Sequence, residues 1–178
     1  IRQPGTQSPI ASRSARAAGS RSIAMGGAGG SSPIHTVPSI QADKVSLQYE
    51  SFGNPADPPI VLVMGLGMQL IMWPEWLCEM LAAKGFYVVR FDNRDVGLSS
   101  HLDHLGSPNI ALATLRYLLH LPLKAAYLID DMARDTAALL DALGIPRAHV
   151  VGASMGAMIA QNLAANAPAK VASLTSIM

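Results

Sequence analysis

The chain has 178 residues, 13 Lys and Arg against 12 Asp and Glu, a net charge of +1, and half of its residues apolar. That balance gives no electrostatic case for nucleic acid, and the apolar content suffices for the core of one domain. A single cysteine excludes an internal disulfide framework and fits a reducing compartment. No apolar run reaches the roughly 18 residues a membrane helix needs without Gly, Pro or charge interrupting it.

Charge is unevenly spread. Residues 1–42 carry Arg2, Arg13, Arg16 and Arg21, no acid, and abundant Ser, Gly, Ala and Pro. Such a segment buries too little apolar surface to offset its ordering entropy, so it is expected to be a disordered leader outside the fold. Arg- and Ser-rich leaders without acids serve as organelle transit peptides. The plainer reading, which we favour, is a non-structural leader or an overextended reading frame, with Met25 an internal start and a cytoplasmic location. The sequence opens on Ile1, so its true beginning is expected further upstream.

Residues 43–178 alternate strand and helix signals. Residues 45–51 alternate as an edge strand would. Pro58-Pro59 introduces Ile60-Val61-Leu62-Val63-Met64, a continuous apolar run of the kind buried on both faces of a parallel sheet. Trp73, Trp76, Leu77, Met80 and Leu81 then form one helical stripe that stops at Gly85, and Tyr87–Phe91 reads as the next strand. Met132, Thr136, Leu139, Leu140 and Leu143 make a second stripe, opened by Asp130 and Asp131 and closed by Gly144 and Pro146. A strand over 148–153, a helix from about 155 to 167 and a strand over 171–177 complete the series. This alternation predicts an α/β fold, a mostly parallel sheet with helices on both faces.

The chemistry concentrates at Gly152-Ala153-Ser154-Met155-Gly156. Gly-x-Ser-x-Gly is a short pattern, and a Gly- and Ser-containing turn before an ordinary helix would also produce it. Its place between a buried strand and a helix is the context of a nucleophile elbow, in which a strained turn lifts the serine hydroxyl above the sheet. Larger side chains at 152 and 156 would collide at that turn, and the helix N-terminus behind it favours developing negative charge. Acyl transfer also needs two N–H groups aimed at the oxyanion. One is expected from Met155, the other from Leu66 in Met64-Gly65-Leu66-Gly67-Met68, directly after the first buried strand. A dinucleotide-binding turn is the competing reading of Gly65-x-Gly67, but its third glycine would fall at position 70, which is Leu70. No cofactor is expected.

Residues 44–178 resemble the N-terminal half of an α/β-hydrolase, closest to the bacterial esterases typified by aclacinomycin methylesterase. The likeness is carried by Leu62–Gly65 leading to Trp73-Pro74-Glu75, by Arg90-Phe91-Asp92-Asn93-Arg94-Asp95-Val96-Gly97-Leu98-Ser99, and by Asp141–Ile145 running through Gly152–Gly156. Many relatives carry His-Gly at the oxyanion loop; Met64-Gly65 stands there in this chain, as in the methylesterase-like branch. The resemblance implies Ser154 as nucleophile, Leu66 and Met155 as oxyanion donors, and a small-molecule ester as substrate. It also implies a cap and further strands bearing the acid and the histidine beyond residue 178, so the sequence is expected to be incomplete. Aminopeptidases and cofactor-free haloperoxidases share this scaffold. A catalytically inactive, hydrolase-like binding protein is the alternative from another class.

Asp92, Arg94 and Asp95 invite assignment as a catalytic acid, but the resemblance implies a structural turn. His35, His101, His104, His120 and His149 all precede Ser154, whereas these hydrolases run Ser, acid, His, so none is expected to be the base. His101 and His104 lack a third ligand, so no metal site is expected. Cys78 falls off the helical stripe and reads as incidental. In the 99–125 connection, Ile110, Leu112, Leu115, Leu118 and Leu119 at near-helical spacing are expected to pack on the sheet, or else to wall an apolar pocket.

Overall fold

The apolar run after Pro58 is β3 (Pro59–Val63), an inner strand of a six-stranded sheet. The structure is a computed structural model that describes residues 38–106, 114–116, 118–122 and 125–177. The other strands are β1 (Ser39–Ala42), β2 (Val45–Phe52), β4 (Tyr87–Phe91), β5 (Ala148–Ala153) and β6 (Val171–Ile177). The helices that position the site are α1 (Glu75–Ala83), α2 (Ile129–Ala142) and α3 (Met155–Asn166). The spatial order is β1-β2-β4-β3-β5-β6. β1 and β2 form an antiparallel hairpin, β2 also runs antiparallel to β4, and β4, β3, β5 and β6 are mutually parallel.

Alternation along β3 explains its unbroken apolar sequence. Ile60 and Leu62 face α1 and pack with Trp73, Cys78 and Val88. Val61 and Val63 face the opposite side, in the larger cluster with Leu139, Leu140, Ile159 and Leu163. Both faces are covered, so neither phase of the strand can be polar. Leu139 and Leu140 are adjacent on α2 yet both fully buried. Neighbours on a helix point about 100° apart, so α2 must bury a wide stripe, packed on the sheet and on α3 together.

The ends of α2 follow from local chemistry. The Asp131 carboxylate accepts the Leu128 N–H at 2.8 Å, and Asp130 adds a second negative charge in the first turn. At the other end Gly144 takes φ 70, which lets its N–H donate to the Asp141 carbonyl at 3.0 Å and the Ile145 N–H to the Leu140 carbonyl at 2.8 Å. That pair of bonds closes the helix as a Schellman motif.

Three expectations change. Residues 39–42, assigned to the leader, are strand β1: they pair with Val45–Gln48 across the two-residue Asp43-Lys44 turn, and Ala42 is fully buried. Four residues are too few for a periodic signal, and the pairing partner supplies what periodicity could not. β2 is therefore an inner strand and β1 the edge. The stripe on α1 is also rotated. The helix starts at Glu75, so Leu77, Cys78 and Leu81 face the sheet while Trp76 and Met80 are exposed. The leader's expected disorder over residues 1–37 lies outside the described residues.

The hairpin gives a direct test. In the full-length protein, truncation ahead of Val45 is expected to melt several degrees below truncation ahead of Pro38, because only the first removes β1 and its buried Ala42. Coincident thermal curves for the two truncations would count against β1 as part of the folded domain.

Candidate active site

The loops that follow β3, β4 and β5 emerge at the same end of the parallel strands. β3 is flanked by β4 on one side and β5 on the other, so the chain reverses its direction of travel across the sheet there. Open α/β sheets bind ligands at such a point.

Ser154 stands between β5 and α3 with φ 52 and ψ −123. A non-glycine residue in that region carries about 1–3 kcal/mol of strain and persists only where its surroundings over-determine it. Here they do. The Ser154 N–H donates to the Ile177 carbonyl of β6 at 2.9 Å, and the Ser154 carbonyl accepts the Ala157 N–H at 2.9 Å. The side chain is exposed at the start of α3. Met155 is the first residue of that helix, so its N–H has no intrahelical acceptor, and the helix dipole adds positive potential beside the Ser154 hydroxyl.

Gly152 and Gly156 allow this turn by close approach. A methyl group on Gly152 would stand 2.2 Å from the Gly156 carbonyl oxygen, and one on Gly156 would stand 2.2 Å from the Val63 carbonyl oxygen. α3 therefore presses directly on the end of β3. The same contact brings in the next loop. A methyl on Gly65 would lie 3.2 Å from Ser154 Cβ and 3.5 Å from Ser154 Oγ. Leu66, Met68 and Gly67 are exposed in a turn in which the Met68 N–H donates to the Gly65 carbonyl at 3.3 Å. The structure thus sets the loop carrying Leu66 against the turn carrying Ser154, Met155 and the two glycines.

The loop after β4 buttresses both. Asp92 and Asn93 are 4% and 2% exposed. The Asp92 carboxylate accepts the Leu70 N–H at 2.6 Å, and the Asn93 amide donates to the Met64 carbonyl at 2.9 Å. Arg94 makes a two-pronged pair with Asp135 on α2, both contacts at 2.6 Å, with its guanidinium 5.1 Å from the centre of the Tyr127 ring. Burial, reinforced by a bond to Asp95, pushes the Tyr127 hydroxyl up to about 12. Each of Asp92, Arg94 and Asp95 is engaged with the protein itself, Asp95 through the Leu102 N–H at 2.6 Å.

Burial also raises Asp92 above its ordinary 3.8, against the pull of the Leu70 and Leu98 N–H groups. A carboxyl raised on folding contributes most below its unfolded value and loses that contribution as pH climbs through the folded one. Asp92→Asn keeps an oxygen for the Leu70 N–H and cannot ionise. Its stability relative to wild type is therefore expected to rise with pH above 3.8, as denaturant midpoints across the acid range would register. A pH-independent difference would mean that Asp92 titrates alike in both states.

Arg90 is a charge inside strand β4. It is buried, paired directly across from Glu50 on β2, with Nε donating to Glu50 Oε2 at 2.8 Å and Nη1 to the Trp73 carbonyl. The signal was there in a charge at matching positions of two neighbouring strands. Two histidines have partners of their own: His149 Nδ1 lies 2.7 Å from Ser173 Oγ, and His101 Nε2 lies 3.1 Å from the Gly97 carbonyl. Cys78 is fully buried, and burial pushes its thiol above the usual 9.0, away from thiolate chemistry. Leu115, Leu118 and Leu119 are exposed, contrary to the expected packing on the sheet; Ile110 and Leu112 lie outside the described residues. Among the described residues no group of three or more His, Cys, Asp or Glu could hold a metal ion, and no helix is long and apolar enough to cross a membrane.

Residues 58–178 match the profile of the alpha/beta hydrolase fold. The chain belongs to that family. This α/β-hydrolase chain is 38% identical over 139 residues to rhodomycin D methylesterase DauP of Streptomyces sp. (strain C5), covering 78% of this chain and 41% of the relative. It is 37% identical over 139 residues to rhodomycin D methylesterase DnrP of Streptomyces peucetius, with the same coverage of each. Among solved structures, the enol-lactonase from Burkholderia xenovorans LB400 superposes with a TM-score of 0.60 at 29% identity, over 77% of this chain and 45% of that one. The α/β-hydrolase chain described here thus spans about two fifths of the length of the methylesterases it matches.

Proposed function

We propose that the protein is a serine hydrolase that cleaves a carboxylic ester through an acyl-enzyme, with Ser154 as nucleophile. The observation that carries this reading is the conformation of Ser154: a strained, exposed serine at φ 52 heading α3, against which the Gly65 loop is packed. Strain of this kind is retained where it places a reacting group. The methylesterase names of the relatives and the enol-lactonase likeness favour an ester, cyclic or open.

In the proposed reaction Ser154 Oγ attacks the carbonyl carbon while a histidine takes its proton. The oxyanion of the tetrahedral intermediate is received by the Met155 and Leu66 N–H groups beside the α3 N-terminus, a type of donor each worth about 10²–10³ in rate. The intermediate collapses, the histidine returns its proton to the departing alcohol oxygen, and water then hydrolyses the acyl-enzyme by the same steps. We place the histidine and its orienting acid after Ser154 in chain order, outside residues 1–178.

The test is covalent capture. A fluorophosphonate should label the full-length protein on the peptide containing Ser154 and release its fluoride. Labelling elsewhere, or none in a folded protein that still hydrolyses esters, would overturn the assignment.

A further inference from the structure

We infer that Asn93, with Asp92 beside it, is a positioning residue for catalysis: the pair fixes both ends of the Met64–Leu70 loop and so sets where the Leu66 N–H points. The inference rests on the reading of Ser154 and Leu66 given above and adds the part that aims the loop.

The geometry is specific. The loop leaves β3 at Met64, whose carbonyl accepts the Asn93 amide at 2.9 Å, and ends at Leu70, whose N–H donates to Asp92 Oδ1 at 2.6 Å. Two consecutive side chains from the end of β4 thus hold the first carbonyl and the last N–H of the same loop. Between these anchors Leu66, Gly67, Met68 and Gln69 are exposed, Gly67 has φ 66, and the 3.3 Å Met68-to-Gly65 bond is long. A loop so lightly held along its length takes its orientation from its ends.

The Met64 carbonyl matters more than the Leu70 N–H. Rotation of the Met64–Gly65 peptide swings Gly65, which lies against Ser154, and with it the following N–H groups. Asn93 is 2% exposed, so water cannot easily replace its amide. An oxyanion donor acts only if it is already aimed when charge develops, and a misplacement of about 1 Å can cost a hundredfold. Neither side chain needs to touch substrate to exert this effect.

The experiment uses the full-length protein with Asn93→Asp, which keeps the shape but replaces the donor by an acceptor, and Asn93→Ser, which keeps a shorter donor. A core variant away from the loop, Leu139→Val, supplies a matched loss of melting temperature. We expect Asn93→Asp to lower kcat ten- to a hundredfold with KM within threefold, and to weaken inhibition by a trifluoromethyl ketone, whose adduct with serine bears an oxyanion, by a similar factor. Asn93→Ser should fall between it and wild type, and Leu139→Val should leave kcat within threefold. If Asn93→Asp does not fold, a tenfold or greater loss of kcat in folded Asn93→Ser supports the inference. A loss of kcat below tenfold in folded Asn93→Asp, or in Asn93→Ser where Asn93→Asp does not fold, a change confined to KM, or unaltered ketone inhibition overturns it. Wild-type activity that survives Ser154→Ala would instead overturn the nucleophile itself, so the two failures are distinguishable.

Discussion

Ser154→Ala is expected to reduce ester turnover of the full-length protein by at least about a thousandfold while leaving it folded. Removing a triad serine forfeits the covalent route, and what remains, roughly 10³–10⁴ over water in such enzymes, comes from the oxyanion donors and from binding. The substitution creates no cavity of consequence, because the hydroxyl is exposed. Alanine still carries a Cβ at φ 52, so the strain stays and stability should change by less than about 1 kcal/mol. The decisive measurement is kcat with a short-chain p-nitrophenyl ester, beside a denaturation curve for each protein. Turnover within tenfold of wild type would remove Ser154 from the mechanism.

Gly156→Ala should produce the opposite pattern, a folding defect that takes activity with it. On helix propensity alone alanine would be favoured by about 1 kcal/mol. The steric cost overrides this. The new Cβ would sit 2.2 Å from the Val63 carbonyl oxygen and 2.8 Å from that of Met64. Both are backbone atoms, Val63 at the end of β3 paired with β5 and Met64 held through its carbonyl by Asn93, so neither can swing aside as a flexible side chain would. Overpacking costs about 1–3 kcal/mol where side chains can adjust. A loss at or above about 3 kcal/mol is expected here, read as a shift in denaturant midpoint at constant slope. A variant as stable as wild type would mean that α3 can retreat from β3 more easily than the packing implies.

The order and type of the elements were legible because hydrophobic period and punctuation agreed along most of the chain. Pro58 and Gly144 mark boundaries through backbone geometry that those residues adopt most readily, and the run from Ile60 to Val63 has one good solution in a two-faced sheet. The strained turn at Ser154 was legible for a related reason, since small residues at 152, 153 and 156 leave room for a sharp strand-to-helix turn. β1 escaped notice because four residues carry no period, and their partner is recognisable only once the hairpin is drawn. The α1 face was misread because Trp76 and Met80 fit an apolar stripe that the helix, starting at Glu75, turns outward. Asn93 was passed over for a different cause. The role inferred for it depends on a carbonyl that becomes its neighbour only after β3 and β4 pair, and side-chain amides leave no pattern in sequence that distinguishes an anchor from a turn.

The bond from the Ser154 N–H to the Ile177 carbonyl ties the strained conformation of Ser154 to the order in which the chain is made. A nascent polypeptide that has emerged only as far as α3 already contains β5, the turn and the helix, but not the acceptor that holds the turn from the far side. Until β6 docks, the turn lacks one of the two backbone bonds that hold Ser154. The strained turn at Ser154, on which the proposed nucleophile depends, is therefore completed only after the segment that encodes it has been made.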